Sequence, residues 1–132
     1  MLVETSAIVA IMLEESDAET LAERVSAAGT ASTTVVNAFE AALSVGRVIE
    51  DHPLAAELVP QFLESAGIEM VGIDADLYPE ITDAYARFGK GTGHPAKLNF
   101  GDCFSYAAAK RLRVPLLYKG EDFAQTDLKS VE

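Results

Sequence analysis

The chain is organised around the stretch Leu98-Asn-Phe-Gly-Asp-Cys-Phe-Ser-Tyr-Ala-Ala-Ala-Lys110. It begins as a loop and is predicted to turn into a helix at its glycine. Asp102 falls in the first turn of that helix, where the positive end of the helix dipole favours a carboxylate. Phe104, Ala107 and Ala108 then recur at helical spacing and predict an apolar face. We therefore interpret Asp102 as an acid held at the mouth of a buried helix.

The composition indicates one globular domain spanning residues 1–132, with 49% apolar and 23% charged residues. The only cysteine, Cys103, excludes an intrachain disulfide and a cysteine-based zinc site. The apolar run at residues 7–13 is too short to span a bilayer. It also lacks the preceding basic residues of a signal peptide. We expect a cytoplasmic protein with no membrane partner.

The net charge of −11 argues against wholesale nonspecific binding to nucleic acid. The positive charges are nevertheless unevenly placed, because seven of the ten lysines and arginines lie between Arg87 and Lys119. An acidic protein with a local basic strip can still hold a polyanion, with an affinity that depends on salt.

Segments with strand and helix character alternate along the chain. Strands are predicted at residues 1–3, 30–34, 68–73 and 115–118, with a last edge strand at 128–131. Helices are predicted at residues 7–13, 17–28, 35–48, 52–66 and 75–88 and in the stretch quoted first. Thr5 or Ser6 is expected to cap the first helix. This alternation predicts an α/β fold, with helices covering both faces of a mainly parallel sheet.

The third predicted helix carries a glutamate beside its apolar residues. Val36, Phe39, Leu43 and Val48 can share much of one face, and Glu40 lies next to Phe39 in the sequence. Taken alone, a glutamate in this position is more often placed at the border of an apolar face than used in catalysis.

Acids also follow the ends of predicted strands. Glu4 ends the first strand, and Asp122 follows the strand at 115–118. Ligands bind at the carboxyl edge of open parallel sheets, so these two acids would share an edge if their strands are neighbours. Asp102 and Glu40 could reach the same place from their helices.

Convergence of these acids would require a counter-charge. Two carboxylates ~4 Å apart at an effective dielectric constant of ~20 repel by about 4 kcal/mol. Such groups take up protons with raised pKa values or bind a cation. Oxygen ligands without histidine or cysteine favour Mg²⁺ or Mn²⁺ over zinc, and such a site suits phosphoryl chemistry.

Three stretches carry a family resemblance: Val3-Glu-Thr-Ser-Ala-Ile-Val-Ala-Ile11, the stretch quoted first, and Leu116-Leu-Tyr-Lys-Gly-Glu-Asp-Phe-Ala-Gln-Thr-Asp127. Residues 34–40 and 87–96 fit the same pattern, so the resemblance covers essentially the whole chain. The chain resembles the PIN-domain ribonucleases, and more narrowly the VapC toxins of bacterial toxin–antitoxin pairs. This resemblance implies a PIN-like three-layer α/β/α fold.

The resemblance also implies an activity, that of a Mg²⁺-dependent (or Mn²⁺-dependent) endoribonuclease. Glu4, Asp102 and Asp122 match metal ligands of the family, and Glu40 matches the fourth catalytic acid. Such toxins are usually homodimers, cut structured RNA such as tRNA or ribosomal RNA, and are inhibited by a cognate VapB antitoxin. The side chains considered as RNA-binding candidates are Arg87, Lys90, Lys97 and Lys119.

The chain departs from the family pattern at the first acid. The family has Asp-Thr-Ser where this sequence has Glu4 followed by Thr5 and Ser6, either of which matches a hydroxyl near the metal or its waters. Glutamate keeps the charge but extends the carboxylate by one methylene, whereas catalytic geometry usually has to hold within ~0.5 Å. The alternative function is therefore a catalytically weakened protein that binds RNA and antitoxin.

Overall fold

A four-stranded parallel sheet forms the centre of the described part of the chain. In the computed structural model, which describes residues 1–128, the strands are β1 (Leu2–Val3), β2 (Ala31–Thr34), β3 (Ile68–Val71) and β4 (Leu116–Leu117). They lie in the order β3-β2-β1-β4, and every neighbouring pair is parallel. The predicted parallel sheet is confirmed.

Six α-helices within residues 1–128 connect the strands. They are α1 (Thr5–Met12), α2 (Ala18–Ala27), α3 (Val35–Ile49), α4 (His52–Ala66), α5 (Tyr78–Phe88) and α6 (Phe100–Leu112). Short 3-10 helices lie at Ala75–Leu77 and Phe123–Gln125. Over these residues, no helix has both the length and the apolar composition needed to cross a bilayer.

Neighbouring residues of the two shortest strands face opposite layers of helices. Leu2 pairs with Leu116, and both lie in the core that contains the buried residues of α5 and α6. Val3 pairs with Leu117, and both lie in the core formed with α1 to α4. Because all four side chains are fully or almost fully buried, the sheet is covered on both faces. The predicted three-layer α/β/α fold is therefore confirmed.

The first helix begins earlier than predicted, and its N-cap is neither Thr5 nor Ser6. Glu4 is the N-cap, in an extended conformation with φ −86° and ψ 160°, and its carboxylate accepts a hydrogen bond from the Ser6 backbone N–H. The reason is that β1 continues into α1 without a loop, so the last extended residue also caps the helix.

The apolar face predicted for α3 is not the buried face of this helix. Phe39 and Val48 are 63% and 64% exposed. The buried positions are instead mostly small or polar, namely Asn37, Ala38, Ala41, Val45 and Gly46. Small residues let α4 pack closely: a Cβ atom added at Gly46 would lie 2.2 Å from Nδ1 of His52. Close approach between the two helices, rather than apolar character, decides which face of α3 is buried.

The helix predicted after Asp74 is divided into two pieces. The Asp74 carboxylate accepts a hydrogen bond from the Asp76 backbone N–H and caps the 3-10 helix, and α5 follows at once. At the end of the chain, Leu128 lies in no strand, and the rest of the predicted edge strand at 128–131 lies outside the described residues.

Candidate metal centre

A cavity of about 380 Å³ includes Glu4, which follows β1, and Asp122, which follows β4. In the sheet, β1 lies between β2 and β4. The chain passes from β1 to β2 and β3 on one side and returns to β4 on the other side, so the direction of the strand order reverses at β1. Such a switch point is where open α/β sheets bind ligands. Five carboxyl side chains line the cavity, those of Glu4, Glu15, Glu40, Asp102 and Asp122. The cavity therefore gathers all four acids considered in the sequence, together with Glu15.

Glu4 lies at the end of β1 and is only 5% exposed. Its Oε2 accepts a hydrogen bond of 2.8 Å from the Ser6 backbone N–H and another from the Ser6 hydroxyl. Burial raises the pKa of Glu4 to about 7, the negative charges of Asp102 and Glu40 add to the rise, and the Ser6 hydrogen bonds oppose it. A carboxylate here is therefore costly unless a cation accompanies it.

Asp102 is held at the start of α6 by a reciprocal pair of hydrogen bonds. The Asn99 Oδ1 accepts from the Asp102 backbone N–H at 2.9 Å, and the Asp102 Oδ2 accepts from the Asn99 backbone N–H at 3.0 Å. Burial raises the pKa of Asp102 to about 6 against the effect of the Asn99 hydrogen bond, and the charges of Glu40 and Asp122 raise it further. The capping box thus fixes the orientation of an acid that is unfavourably charged.

Glu40 reaches the cavity from α3 and lies against the start of α6. Its Oε1 accepts a hydrogen bond of 2.8 Å from the Thr5 hydroxyl. Its Oε2 is so close to Gly101 that a Cβ atom added there would lie 2.1 Å away. Glu40 is therefore not only at the border of an apolar face, since its carboxylate occupies space that only a glycine leaves open.

Beneath Glu40 lies a buried polar network centred on Asn37, which the sequence analysis missed. The Asn37 Nδ2 donates to the Thr5 hydroxyl at 3.1 Å and to the Ser105 hydroxyl at 2.7 Å. Its Oδ1 accepts from the Thr34 hydroxyl at 2.7 Å. The network joins α1, α3 and α6 directly below the cavity. The available signal was the three-residue spacing, which places Asn37 and Glu40 on one side of α3.

Asp122 and Lys119 come from the turn that follows β4. Asp122 lines the cavity, and its charge contributes to the raised pKa of Asp102. The Lys119 backbone N–H donates to the Ser6 hydroxyl oxygen at 2.8 Å, which ties this turn to the start of α1. Lys119 is also the only basic side chain among the described residues that line the cavity.

The other three RNA-binding candidates lie outside this cavity. Arg87 forms ion pairs with Asp83 at 3.5 Å and with Asp127 at 3.6 Å. Lys90 and Lys97 are exposed in the segment between α5 and α6. Of the four candidates, only Lys119 lies beside the acids.

The donors of this cavity fit Mg²⁺ or Mn²⁺ better than zinc, because the lining residues offer carboxylate and hydroxyl oxygens and neither histidine nor cysteine. In residues 1–128, no three histidine, cysteine, aspartate or glutamate side chains are arranged to hold one ion together. Mg²⁺ commonly keeps several waters and uses only one or two carboxylates together with phosphate oxygens. The arrangement therefore suits an ion held by few direct ligands and by water.

Without metal, Glu4 and Asp102 should make the protein less stable as the pH rises. Their folded pKa values, about 7 and about 6, exceed the ordinary values of 4.5 and 3.8. Stability is greatest below the ordinary pKa and is lost as the pH rises through the folded pKa, because the unfolded chain releases its protons first. For Glu4 the loss is about 3 kcal/mol between about pH 4 and about pH 7. Urea unfolding in EDTA measures this change.

A matched pair of variants isolates the contribution of Glu4 to that pH dependence. Glu4→Gln should flatten the dependence over the same range, whereas Glu57→Gln, at an exposed position of α4, should leave it as in the wild type. An equal pH dependence in wild type and Glu4→Gln would contradict the expectation.

Comparison with known proteins identifies the family of this chain. The PIN domain profile matches residues 1–129. The chain is 40% identical over 129 residues to ribonuclease VapC42 of Mycobacterium tuberculosis, covering 98% of this chain and 97% of the relative. It is 44% identical over 138 residues to a VapC ribonuclease of Rhizobium meliloti, covering 96% of this chain and 97% of the relative.

A solved structure supports the same fold. The crystal structure of VapC20 from Mycobacterium tuberculosis, described as a toxin that cleaves the sarcin–ricin loop, matches with a TM-score of 0.74 at 17% identity. The match covers 98% of this chain and 97% of that chain. Together with the sequence matches, this places the chain in the PIN-domain family, among the VapC ribonucleases.

Proposed function

We propose that this protein is a Mg²⁺-dependent (or Mn²⁺-dependent) endoribonuclease and the toxin of a toxin–antitoxin pair. The observation that carries the proposal is the single cavity in which Glu4, Glu40, Asp102 and Asp122 meet, in a chain of the VapC family. Acids with raised pKa values at a sheet switch point are costly for folding, so a functional cation site accounts for them.

In this proposal the chain's own residues bind and orient the reactants. Glu4, Asp102 and Asp122 would hold the ion, some of them through its coordinated waters and not by direct contact. When bound, the ion would polarise the phosphate and lower the pKa of a coordinated water. Glu40, fixed by the Thr5 hydroxyl, would accept a hydrogen bond from the attacking water. Ser6 bridges the Glu4 carboxylate and the Lys119 backbone, which keeps the two strand ends in register.

The proposed substrate is structured RNA, tRNA or ribosomal RNA, and the proposed inhibitor is a VapB-type antitoxin. Membership of the VapC family, whose relatives are named ribonucleases, supports both proposals. An RNA substrate of this kind implies activity in the cytoplasm. We also infer a homodimer, because Phe39 and Phe100 are 63% and 79% exposed beside Glu40 and Gly101, and a second copy would cover apolar area of this kind.

The alternative, a protein that binds RNA and antitoxin without turnover, depends on the extra methylene of Glu4. The structure accommodates that methylene, since Glu4 still caps α1 through Ser6 and still lines the cavity. The relatives, which are named ribonucleases, favour the enzyme.

Cleavage of RNA by the purified chain in Mn²⁺ tests the enzymatic proposal, and EDTA should abolish the activity. Glu4→Asp should retain the cap on α1, because aspartate is a favoured N-cap residue. It should also cleave faster, by up to about 100-fold, if the longer side chain misplaces the carboxylate by about 1 Å. Gel analysis of labelled tRNA and ribosomal RNA measures both rates. If neither form cuts RNA in Mn²⁺, the chain is not a ribonuclease.

A further inference from the structure

Lys119 is restrained at both ends. Its backbone N–H donates to the Ser6 hydroxyl oxygen at 2.8 Å, so its main chain is fixed against the start of α1. Its ammonium lies 2.6 Å from the Glu15 Oε1 and 3.2 Å from the Asp17 Oδ1. Both acids lie in the connection between α1 and α2, on or next to the wall of the acidic cavity. The Lys119 ammonium at the cavity is thus already paired with carboxylates of the same chain.

The two carboxylates do not hold the ammonium equally. Glu15 makes a hydrogen bond to Lys119, whereas the Asp17 Oδ1 is buried without a well-aligned hydrogen bond among the described residues. The Asp17 contact is also the longer of the two, so Glu15 is the stronger partner. The side chains of Lys119, Glu15 and Asp17 are 40%, 37% and 37% exposed. Ion pairs this exposed are weak enough to exchange for another anion.

We propose that Lys119 is the side chain that binds an RNA phosphate at the cavity, and that Glu15, assisted by Asp17, competes with this phosphate in the free protein. The inference rests on the proposed function, because it takes RNA as the ligand. A phosphate approaching the cavity meets five carboxylates, and Lys119 is the one cationic side chain among the described lining residues. Glu15 and Asp17 neutralise the charge of the ammonium, so its full attraction for that phosphate is available only when these carboxylates are exchanged for it.

This exchange makes the carboxylates of the α1–α2 connection an internal competitor for the substrate. Free protein keeps Lys119 neutralised, and binding of RNA replaces one anionic partner with another. Removing Glu15 should therefore strengthen RNA binding by freeing the ammonium. Removing Lys119 should weaken RNA binding for two reasons. The phosphate contact is lost, and the negative charges of Glu15 and Asp17 are left unpaired beside the RNA.

The test measures the binding of a short fluorescein-labelled single-stranded RNA by fluorescence anisotropy at several KCl concentrations. Ca²⁺ replaces Mg²⁺, because it also takes oxygen ligands. Lys119→Met should lower the affinity about tenfold. It should also reduce the slope of log K against log salt by roughly 0.7, the value for one phosphate contact on a single strand. Lys119→Arg should restore both quantities. Lys110→Met, which removes a lysine paired with Asp127 outside the cavity, should leave them unchanged.

The competitor is tested by removing one negative charge at two neighbouring positions. Glu15→Gln should raise the affinity about two- to fivefold, the range for an exposed ion pair. Glu14→Gln makes the same charge change at an exposed residue that has no ion pair with Lys119 among the described residues, and it should have no such effect. In the double variant Glu15→Gln/Lys119→Met, the gain should disappear, because no ammonium remains to be freed.

The outcomes separate this inference from the proposed function. Equal RNA affinity and salt slope in wild type and Lys119→Met would overturn the role of Lys119 while leaving RNA binding in place. A Glu15→Gln gain that persists without Lys119 would overturn the competition. A wild-type chain that binds neither this RNA nor labelled tRNA or ribosomal RNA would overturn the proposed function and this inference together. Thermal unfolding of each variant checks that the folded state is retained.

Discussion

Replacing Asp102 with asparagine should reduce RNA cleavage by about 1000-fold or more and leave the protein folded. Mutating an outer-shell partner of a metal ligand already lowers activity by about 10–100-fold, so the loss of a direct ligand should have a larger effect. Asparagine keeps an oxygen that can accept the Asn99 backbone N–H, now at 3.0 Å, so the capping box at α6 survives. It removes a charge whose raised pKa marks it as unfavourable in the folded state. The variant should therefore be at least as stable as the wild type without metal.

Isothermal titration with Mn²⁺ and a cleavage assay measure the two expected losses in this variant. Specific Mn²⁺ binding should fall together with activity, whereas thermal unfolding in EDTA should shift upward or stay unchanged. Asp83→Asn is the matched control, because it makes the same change at an exposed acid of α5 that pairs with Arg87 outside the cavity. Cleavage by Asp102→Asn within about tenfold of the wild type would rule out Asp102 as a direct metal ligand.

The fold was predictable because its signals are local and repeated. Short apolar runs such as Leu116-Leu117 stand between helical segments, and this alternation occurs along the whole chain. A parallel sheet covered on both faces accounts for that pattern, and its order then brings the residues after β1 and β4 to one edge. From the sequence, Glu4 and Asp122 share this edge only on the condition that β1 and β4 are neighbours, and the observed strand order meets that condition.

The orientation of α3 was not predictable from apolar residues alone. Counting them favours Phe39 and Val48, which are exposed, over Gly46 and Asn37, which are buried. The reason is physical: close packing against α4 selects small residues, and a buried amide is stable when all its hydrogen bonds are satisfied. Asn37 meets that condition through residues of three other elements, which no local pattern reveals.

The ion-pair partners of Lys119 could not be predicted from local sequence patterns, for another reason. Glu15 and Lys119 are 104 residues apart in sequence and meet only because β1 and β4 are neighbours. The sequence contains 21 acids, so it offers no way to select Glu15 from among them. Contacts of this kind follow from topology, and they decide which of several basic side chains lies at the cavity.

Replacing Gly101 with alanine should separate activity from stability. The new Cβ would lie 2.1 Å from the Glu40 Oε2 and 2.6 Å from the Glu40 Cδ, far inside van der Waals contact. The obstructing group is the end of a flexible side chain, so Glu40 can rotate away at little cost. Alanine also favours a helix by about 1 kcal/mol relative to glycine. The free energy of unfolding should therefore change by no more than about 1 kcal/mol.

The activity of Gly101→Ala should nevertheless fall by about 100-fold, because the Glu40 carboxylate can no longer stay beside the Thr5 hydroxyl. A displacement of about 1 Å at a reacting centre has an effect of this size. Gly46→Ala is the matched control: its Cβ would lie 2.2 Å from the His52 ring, another movable side chain, and that ring does not line the cavity. It should cleave RNA at the wild-type rate. Measuring cleavage and urea unfolding for both variants compares the two effects.

If Gly101→Ala cleaves as fast as Gly46→Ala, the position of the Glu40 carboxylate against α6 has no part in the reaction. If both variants unfold at a lower urea concentration than the wild type, the added methyl group at either glycine acts on stability alone.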